Sequence, residues 1–218
     1  MRSKFDEQLK ELNSDLIAMG SLVKRSIADA CTALNEQDVK LATKIIGLDD
    51  EIDKKEQEIE SLCLQLILQQ QPVSGDLRLV SAVLKISSDL ERIGDHATDI
   101  SELAILLSGK QYAKKLMYIP QMAEVTMKMV AKSIDAFVNE DLELAREVIA
   151  CDDIVDSLFD TVKGELVERI KDNLDNSDQA IDLMLVAKYF ERIGDHATNI
   201  AEWVVFLLTG MHKDGKIM

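Results

Sequence analysis

A short segment of the sequence places carboxylates at a spacing that suits metal binding. Glu91, Asp95 and Asp99 follow one another at intervals of four residues, and in a helix each such step turns the side chain by only about 40°. The three side chains are therefore expected to form one narrow acidic stripe. Like charges at this spacing destabilise a helix by about 0.2–0.5 kcal/mol per pair, so either solvent or a bound cation must offset them.

The stripe occurs twice. The eight letters ERIGDHAT at Glu91–Thr98 return unchanged at Glu191–Thr198. Glu191 and Asp195 therefore repeat the acidic pair, but Asn199 stands where the first copy has Asp99. Because an amide oxygen is a neutral and weaker ligand than a carboxylate, we expect the second site to bind metal less tightly or with a different number of ions.

Each stripe has a second acidic pair earlier in the chain. Asp49 and Asp53 lie about as far before the turn near Pro72 as Glu91 and Asp95 lie after it. In an antiparallel helical hairpin these four carboxylates lie at the same height. Height alone leaves open whether their faces point towards one another.

The second half of the chain repeats this arrangement around a turn near Asp175, with Asp152 and Asp156 before the turn. Converging carboxylates would form an oxygen-only site for a cation such as iron, Mn, Mg, Ca or Zn. A solvated acidic groove stays open as the alternative. The predicted metal ligands are Asp49, Asp53, Glu91, Asp95, Asp99, Asp152, Asp156, Glu191, Asp195 and Asn199.

Histidine and arginine accompany each acidic pair. His96 and His196 follow the aspartates by one position, so they point about 100° away from the stripe. We expect them to be hydrogen-bonded within the helical bundle and not to bind metal. Arg92 and Arg192 are expected to pair with carboxylates on neighbouring helices.

Both copies also carry a glycine within the predicted helix. Gly94 and Gly194 each cost about 1 kcal/mol relative to alanine in a helix interior. Close approach of another helix would account for the missing side chain.

Apolar residues recur every three or four positions along most of the chain, which indicates amphipathic helices. The pattern predicts six helices, the first ending near residues 34–37 and the others over residues 38–70, 76–108, 122–139, 142–173 and 180–209. The repeated octamer indicates an internal duplication. We therefore predict an all-α fold of two tandem three-helix bundles related by a pseudo-twofold, over residues 1–110 and 118–212.

Charge and cysteine content exclude several function classes. The chain carries 25 Lys and Arg against 40 Asp and Glu, a net charge of −15, and such a surface repels nucleic acid and anionic lipid. Its three cysteines lack CxxC spacing, which argues against a disulfide framework or a thiolate metal site. No signal sequence or membrane-length apolar run is found. We expect a cytoplasmic protein that binds no nucleic acid and meets the membrane only through partners.

The segments QPVSGDLR, SSDLERIGDHATDI and KYFERIGDHATNI resemble those of the PhoU family of phosphate-uptake regulators, over essentially the whole chain. The resemblance implies two three-helix bundles, in agreement with the periodicity. It also implies metal ions, sometimes in clusters, held at the surface by E/D-x-x-x-D motifs. Those motifs fall here on the acidic pairs described above.

The resemblance further implies a regulator that is not an enzyme. Such a protein limits phosphate uptake and keeps the phosphate regulon off. It acts as a cytoplasmic adaptor that contacts the ATPase of the phosphate ABC transporter and a sensor histidine kinase. A homodimer is expected.

Three other interpretations stay open. The chain could serve a different phosphate carrier, or be a helical adaptor without a metal role. A carboxylate-bound di-metal oxidase is the third, but such sites use Glu-x-x-His motifs, and none of the three histidines has a glutamate three residues before it.

Overall fold

Eight α-helices make up most of the residues that the computed structural model describes, which are 2–70, 72, 75–109, 118–212 and 215–216. The helices are α1 Arg2–Glu36, α2 Val39–Ile46, α3 Asp49–Gln70, α4 Gly75–Leu107, α5 Ile119–Asn139, α6 Leu142–Ala150, α7 Asp152–Asp172 and α8 Ser177–Thr209. A 3₁₀ turn at Leu174–Asn176 precedes α8. The all-α prediction is confirmed. The segment between the two predicted bundles lies within residues 110–117, outside the described residues, and the domain boundaries stay a prediction.

The prediction of a continuous second and a continuous fifth helix is wrong. The second divides into α2 and α3 around Gly47 and Leu48, and the fifth divides into α6 and α7 at Cys151. Both breaks fall directly before an aspartate, so Asp49 and Asp152 are the first residues of α3 and α7. A helix N-terminus carries a partial positive charge that stabilises carboxylates. The breaks therefore place the first acidic residue of each predicted site where the backbone favours it.

The turns before α2 and α6 are built alike in the two halves. Gln37 and Glu140 adopt left-handed backbone conformations, with φ of 55° and 52°. The aspartate that follows each of them caps the next helix. A side-chain oxygen of Asp38 accepts hydrogen bonds from two backbone N–H groups of α2 at 2.9 and 3.0 Å, and Asp141 accepts one from α6 at 3.0 Å. The duplication thus extends to the turns.

Helices α4 and α8 form the central pair, and each also packs against every other helix of its own half. α1 contacts α5 across the two halves. Buried residues recur along α4 at helical spacing, so one stripe faces the core. They include Ile86, Leu90, Ile93, Ala97, Ile100 and Ala104. Because one apolar cluster runs through both halves, the two bundles share a core, in the pseudo-twofold arrangement that was predicted.

The glycines of the repeated octamer lie where another helix comes close, as predicted. A Cβ built on Gly94 would lie 3.0 Å from Cδ1 of Ile52 in α3. A Cβ built on Gly194 would lie 3.3 Å from Cγ1 of Val155 in α7. Each glycine therefore lets the helix that carries the first acidic pair pack directly onto the backbone of the helix that carries the second.

A short ribbon follows α8 and was not predicted. Gly210, with a φ of 76°, ends the helix, and Met211–His212 then pairs in antiparallel fashion with Gly215–Lys216. The His212 ring packs on Trp203 of α8, with ring centroids 4.1 Å apart. The ribbon thereby lies beside the C-terminal part of α8.

Alanine at Gly94 is expected to lower the free energy of unfolding. The new Cβ overpacks against Ile52 at a cost of about 1–3 kcal/mol, of which better helix propensity offsets about 1 kcal/mol. Gly164→Ala in α7 is the matched control. A Cβ built on Gly164 would have no atom within 4 Å other than those of its own helix backbone, so this substitution should stabilise the protein by about 1 kcal/mol. Urea unfolding of both variants measures the difference.

A second substitution tests the cause. Ile52→Val removes the Cδ1 atom that lies closest to the new methyl group, so the penalty of Gly94→Ala should shrink when it is measured in the Ile52→Val variant. A Gly94→Ala variant as stable as Gly164→Ala would contradict the packing argument.

Candidate metal centre

Three carboxylates converge in the first half of the chain. Asp49, Asp53 and Asp95 each place one carboxylate oxygen so that these atoms all lie within 4.8 Å of one another. Asp49 and Asp53 come from the first turns of α3, and Asp95 comes from the middle of α4. All three residues are half-buried. The faces of the two helices therefore point together, which the sequence left open.

Two further side chains complete this first cluster. The Thr98 hydroxyl donates to Oδ1 of Asp49 at 3.1 Å and orients that carboxylate. Burial raises the pKa of Asp49, and the charges of Asp95 and Asp53 raise it further. Glu91 has its pKa raised to about 7, first by burial and then by Asp95. The partly buried Glu91 carboxyl therefore holds its proton more tightly than an exposed glutamate does.

Arg92 supplies the positive charge closest to Glu91 and Asp95. Its Nη1 donates to Oδ2 of Asp95 at 2.8 Å, and its Nε lies 3.3 Å from Oε2 of Glu91. Both carboxylates belong to α4 itself, so the prediction that Arg92 pairs with a neighbouring helix is wrong. The i, i+3 spacing brings the guanidinium back over the acidic stripe.

The second half gathers the equivalent residues. The Thr198 hydroxyl donates to Oδ1 of Asp152 at 3.3 Å, as Thr98 does to Asp49. The pKa of Asp195 is raised to about 6, chiefly by burial and then by the charges of Glu191, Asp152 and, more weakly, Asp156. The pKa of Asp152 is also raised, by burial and then by Asp156. The four acidic groups therefore share one electrostatic environment, which is the second cluster.

The two clusters differ in tightness and in internal counter-charge. Within the described part of the chain, only the first cluster brings three carboxylate oxygens within 4.8 Å. In the second cluster the Lys188 ammonium lies 2.6 Å from Oε1 and 2.5 Å from Oε2 of Glu191. Ser88 is the corresponding residue of the first half, and it carries no charge. Each cluster is thus partly neutralised by one cation, Arg92 on Glu91 and Asp95 in the first and Lys188 on Glu191 in the second.

Asp99 and Asn199 lie apart from the three converging carboxylates. Oδ2 of Asp99 is 3.2 Å from Nδ1 of His96, and the Asn199 amide donates to Asp89 of α4 at 3.4 Å. Nδ1 of His196 is 2.8 Å from the same Asp89 oxygen. The expectation that both histidines form hydrogen bonds within the bundle is confirmed. The geometry gives no support to Asp99 and Asn199 as metal ligands.

Comparison with known proteins identifies the family to which the chain belongs. A family model described as the PhoU domain matches residues 16–104 and again residues 119–204. The chain belongs to the PhoU family. The two matches also confirm the internal duplication.

Relatives of this PhoU chain are similar over nearly its full length. A protein of Clostridium acetobutylicum is 39% identical over 214 residues, which cover 98% of each chain, and one of Aquifex aeolicus is 41% identical over 189 residues, covering 87% of this chain and 86% of the relative. Both are named as phosphate-specific transport system accessory protein PhoU homologues. They are thus named as accessory proteins and not as enzymes.

Two solved PhoU structures have the same fold. The crystal structure of PhoU from Pseudomonas aeruginosa superposes with a TM-score of 0.92 at 34% identity, covering 95% of this chain and all of that one. The regulatory protein PhoU of the Streptococcus pneumoniae phosphate transport system gives a TM-score of 0.88 at 29% identity, covering 97% of this chain and all of that one. Separately, no helix among the described residues is long and apolar enough to cross a membrane.

The donor set of the PhoU clusters fits a hard or borderline cation. Carboxylate oxygens are the ligands that Mg²⁺, Ca²⁺ and Mn²⁺ prefer, and the described residues bring no cysteine and no histidine into the group of Asp49, Asp53 and Asp95. A cation would relieve the repulsion that raises the pKa values of these groups. The assignment of the predicted residues as metal ligands stays a prediction.

Sequence reasoning missed several residues whose side chains contact those of the predicted site residues or of the neighbouring histidines. Thr98 and Thr198 belong to the repeated octamer, and Lys188 precedes Glu191 by three residues, so the sequence held a local signal for all three. Asp89 had no such signal, because its partner His196 is 107 residues away along the chain.

We predict that the metal-free protein loses stability as the pH rises through about 7. Glu91 binds its proton more tightly when folded, with a pKa of about 7 against an ordinary 4.5, so its contribution is fully present below pH 4.5 and is lost as the pH rises through about 7. Glu91→Gln should make the chain more stable than wild type above pH 7 and flatten the slope. Urea midpoints from pH 4.5 to 8, with a chelator present, measure this.

Glu143→Gln is the control, because the Glu143 side chain is 78% exposed and lies outside both clusters. It should leave the pH slope unchanged. Equal slopes for Glu91→Gln and wild type would contradict the assignment of this pH dependence to Glu91.

Proposed function

We propose that this chain is a negative regulator of phosphate uptake and of the phosphate regulon. The observation that carries the proposal is its similarity, over almost the whole chain, to proteins named as phosphate-specific transport system accessory proteins. The Streptococcus pneumoniae protein with the same fold is described as regulatory. A role in phosphate transport follows from these names, and the direction of control follows from the family resemblance.

In this proposal the chain is a cytoplasmic adaptor. It links the ATPase of the phosphate ABC transporter to a sensor histidine kinase, acts as a homodimer and reaches the membrane only through these partners. The net charge of −15 supports a docking role, because a strongly acidic surface attracts basic patches on partner proteins and speeds their association.

The proposed regulator carries metal ions at its two carboxylate clusters. The support is the convergence of Asp49, Asp53 and Asp95 and the raised pKa of Asp195 in the second half. A cation bound there would neutralise part of the acidic surface and would fix α3 to α4 and α7 to α8. We expect the first cluster to bind more tightly, since among the described residues only there do three carboxylate oxygens lie within 4.8 Å of one another.

We expect Asp95→Ala combined with Asp195→Ala to abolish metal binding without unfolding the protein. Each substitution removes a central carboxylate and also relieves repulsion in the metal-free state. Wild type should gain about 2.7 kcal/mol of stability at a metal concentration 100 times the dissociation constant, and the double variant should gain none. Elemental analysis and thermal unfolding measure the two effects.

Asp160→Asn provides the control, because the Asp160 side chain is 76% exposed on α7 and pairs with Lys163 at 3.9 Å, away from the clusters. Its metal content should equal that of wild type. Equal metal content in wild type and the double variant would refute the site assignment.

We expect a tagged chain to co-purify with the transporter ATPase or the sensor kinase in a phosphate-dependent manner. Cells grown with abundant and with limiting phosphate are compared by quantitative mass spectrometry, with a tagged acidic helical protein of similar size as the control. Absence of both partners in phosphate-replete cells would count against the adaptor, and enrichment of another phosphate carrier would reassign the partner.

A further inference from the structure

A cleft between the two halves has a lining unlike the acidic surface around it. It has a volume of about 330 Å³ and lies between α4, α8 and the C-terminal ribbon. We refer to it as the inter-half cleft. Its lining residues are Lys85, Ser88, Asp89 and Arg92 from α4, Asn199 and Trp203 from α8, and His212 from the ribbon.

Most of the polar groups in this lining are hydrogen-bond donors. Lys85 is exposed and forms no ion pair with any residue that the structure describes, so its three N–H groups are available. Arg92 uses Nε and Nη1 on Glu91 and Asp95, which leaves its Nη2 for a further acceptor. The Ser88 hydroxyl lies one helical turn from both cations.

The one carboxylate of the cleft is already engaged. Oδ1 of Asp89 lies 2.8 Å from Nδ1 of His196 and accepts a hydrogen bond from Asn199 at 3.4 Å. Its side chain is 15% exposed, whereas that of Arg92 is 58% exposed. The two cations of the cleft are therefore more exposed than its carboxylate.

This lining is not a by-product of the duplication. Leu185 stands in the second half where the first has Lys85, and Asp99 stands where the cleft has Asn199. Lys188, at the position of Ser88, is held by Glu191. The corresponding surface of the other half therefore lacks the free lysine and carries its one acid, Asp99, at a different position, with Tyr189 where the cleft has Asp89.

We propose that the inter-half cleft binds a tetrahedral oxyanion of the phosphate class, either inorganic phosphate or the phosphate group of a small phosphomonoester. An ammonium, a guanidinium and a hydroxyl that converge on one small volume match the several acceptor oxygens of such a group. The rings of Trp203 and His212, whose centroids are 4.1 Å apart, also line the cleft. The site uses protein donors alone and needs no bound metal, although Glu91 and Asp95 of the first cluster hold one of these donors, Arg92.

The chain offers a built-in reporter for this site. Trp203 is the only tryptophan, so its fluorescence reports directly on the cleft. The full chain, freed of metal with a chelator, is titrated with inorganic phosphate and, separately, with glycerol phosphate, against chloride at matched ionic strength. We expect a saturable change with one or both phosphates and none with chloride. The compound that binds more tightly indicates the source of the phosphate group.

Variants assign the signal to the cleft. Lys85→Met should weaken binding about tenfold or more, because a charge-assisted hydrogen bond is lost, and Ser88→Ala should weaken it less. Lys163→Met removes the same charge from the 57% exposed Lys163 on α7 and should leave the affinity unchanged. Circular dichroism confirms that each variant is folded.

Any of three results would overturn the proposal. One is the absence of any saturable phosphate signal, and another is equal affinities for Lys85→Met and Lys163→Met. The third is binding that appears only after a divalent metal is added, because the anion would then bind through the carboxylate clusters. The Lys85→Met variant retains every carboxylate of both clusters, so its metal content should equal that of wild type and the two proposals fail independently.

Discussion

The missing side chains at Gly94 and Gly194 are the constraint on which the rest of this structure depends. Each lets Ile52 or Val155 pack directly against the backbone of α4 or α8. Since Asp49 and Asp53 lie within one turn of Ile52 on α3, this close packing also carries their carboxylates towards Asp95. Apolar contact on one face of the helix pair thus brings like charges together on the other. Each half tolerates this repulsion because it shares a large apolar core with the other half.

The two halves offset the repulsion differently. In the first half Arg92 spans Glu91 and Asp95 from the same helix. In the second half Lys188 holds Glu191 and leaves Asp195 with a raised pKa. A duplicated sequence motif has therefore produced two electrostatic environments, and the residues that separate them lie just outside the repeated octamer.

Most of the fold could be predicted because its helices have long apolar stripes, as the buried positions of α4 demonstrate. The helix breaks at Gly47 and Cys151 escaped prediction, since the apolar spacing continues through both and a cysteine is no helix breaker. The shared height of Asp49, Asp53 and Asp95 along the hairpin could be predicted from their spacing, whereas the side of each helix on which they meet could not. Asp99 stands two steps of 40°, about 80° in all, from Glu91 and within reach of His96. Its role as a metal ligand stays a prediction. Contacts between the two halves, such as that of Asp89 with His196, cannot be predicted from local residue spacing.

The pairing of α4 with α8 resembles a dimer interface enclosed within one chain. His96 and His196 face each other there with ring centroids 5.7 Å apart, yet His96 stacks on Tyr189 while His196 meets Asp89. Two identical subunits would have to place the same residue opposite both histidines. A single gene that encodes both copies removes that restriction and fixes their ratio at one to one. Mutation could therefore change the surface of one half without changing the other. The two halves cannot be separated by dilution or by subunit exchange.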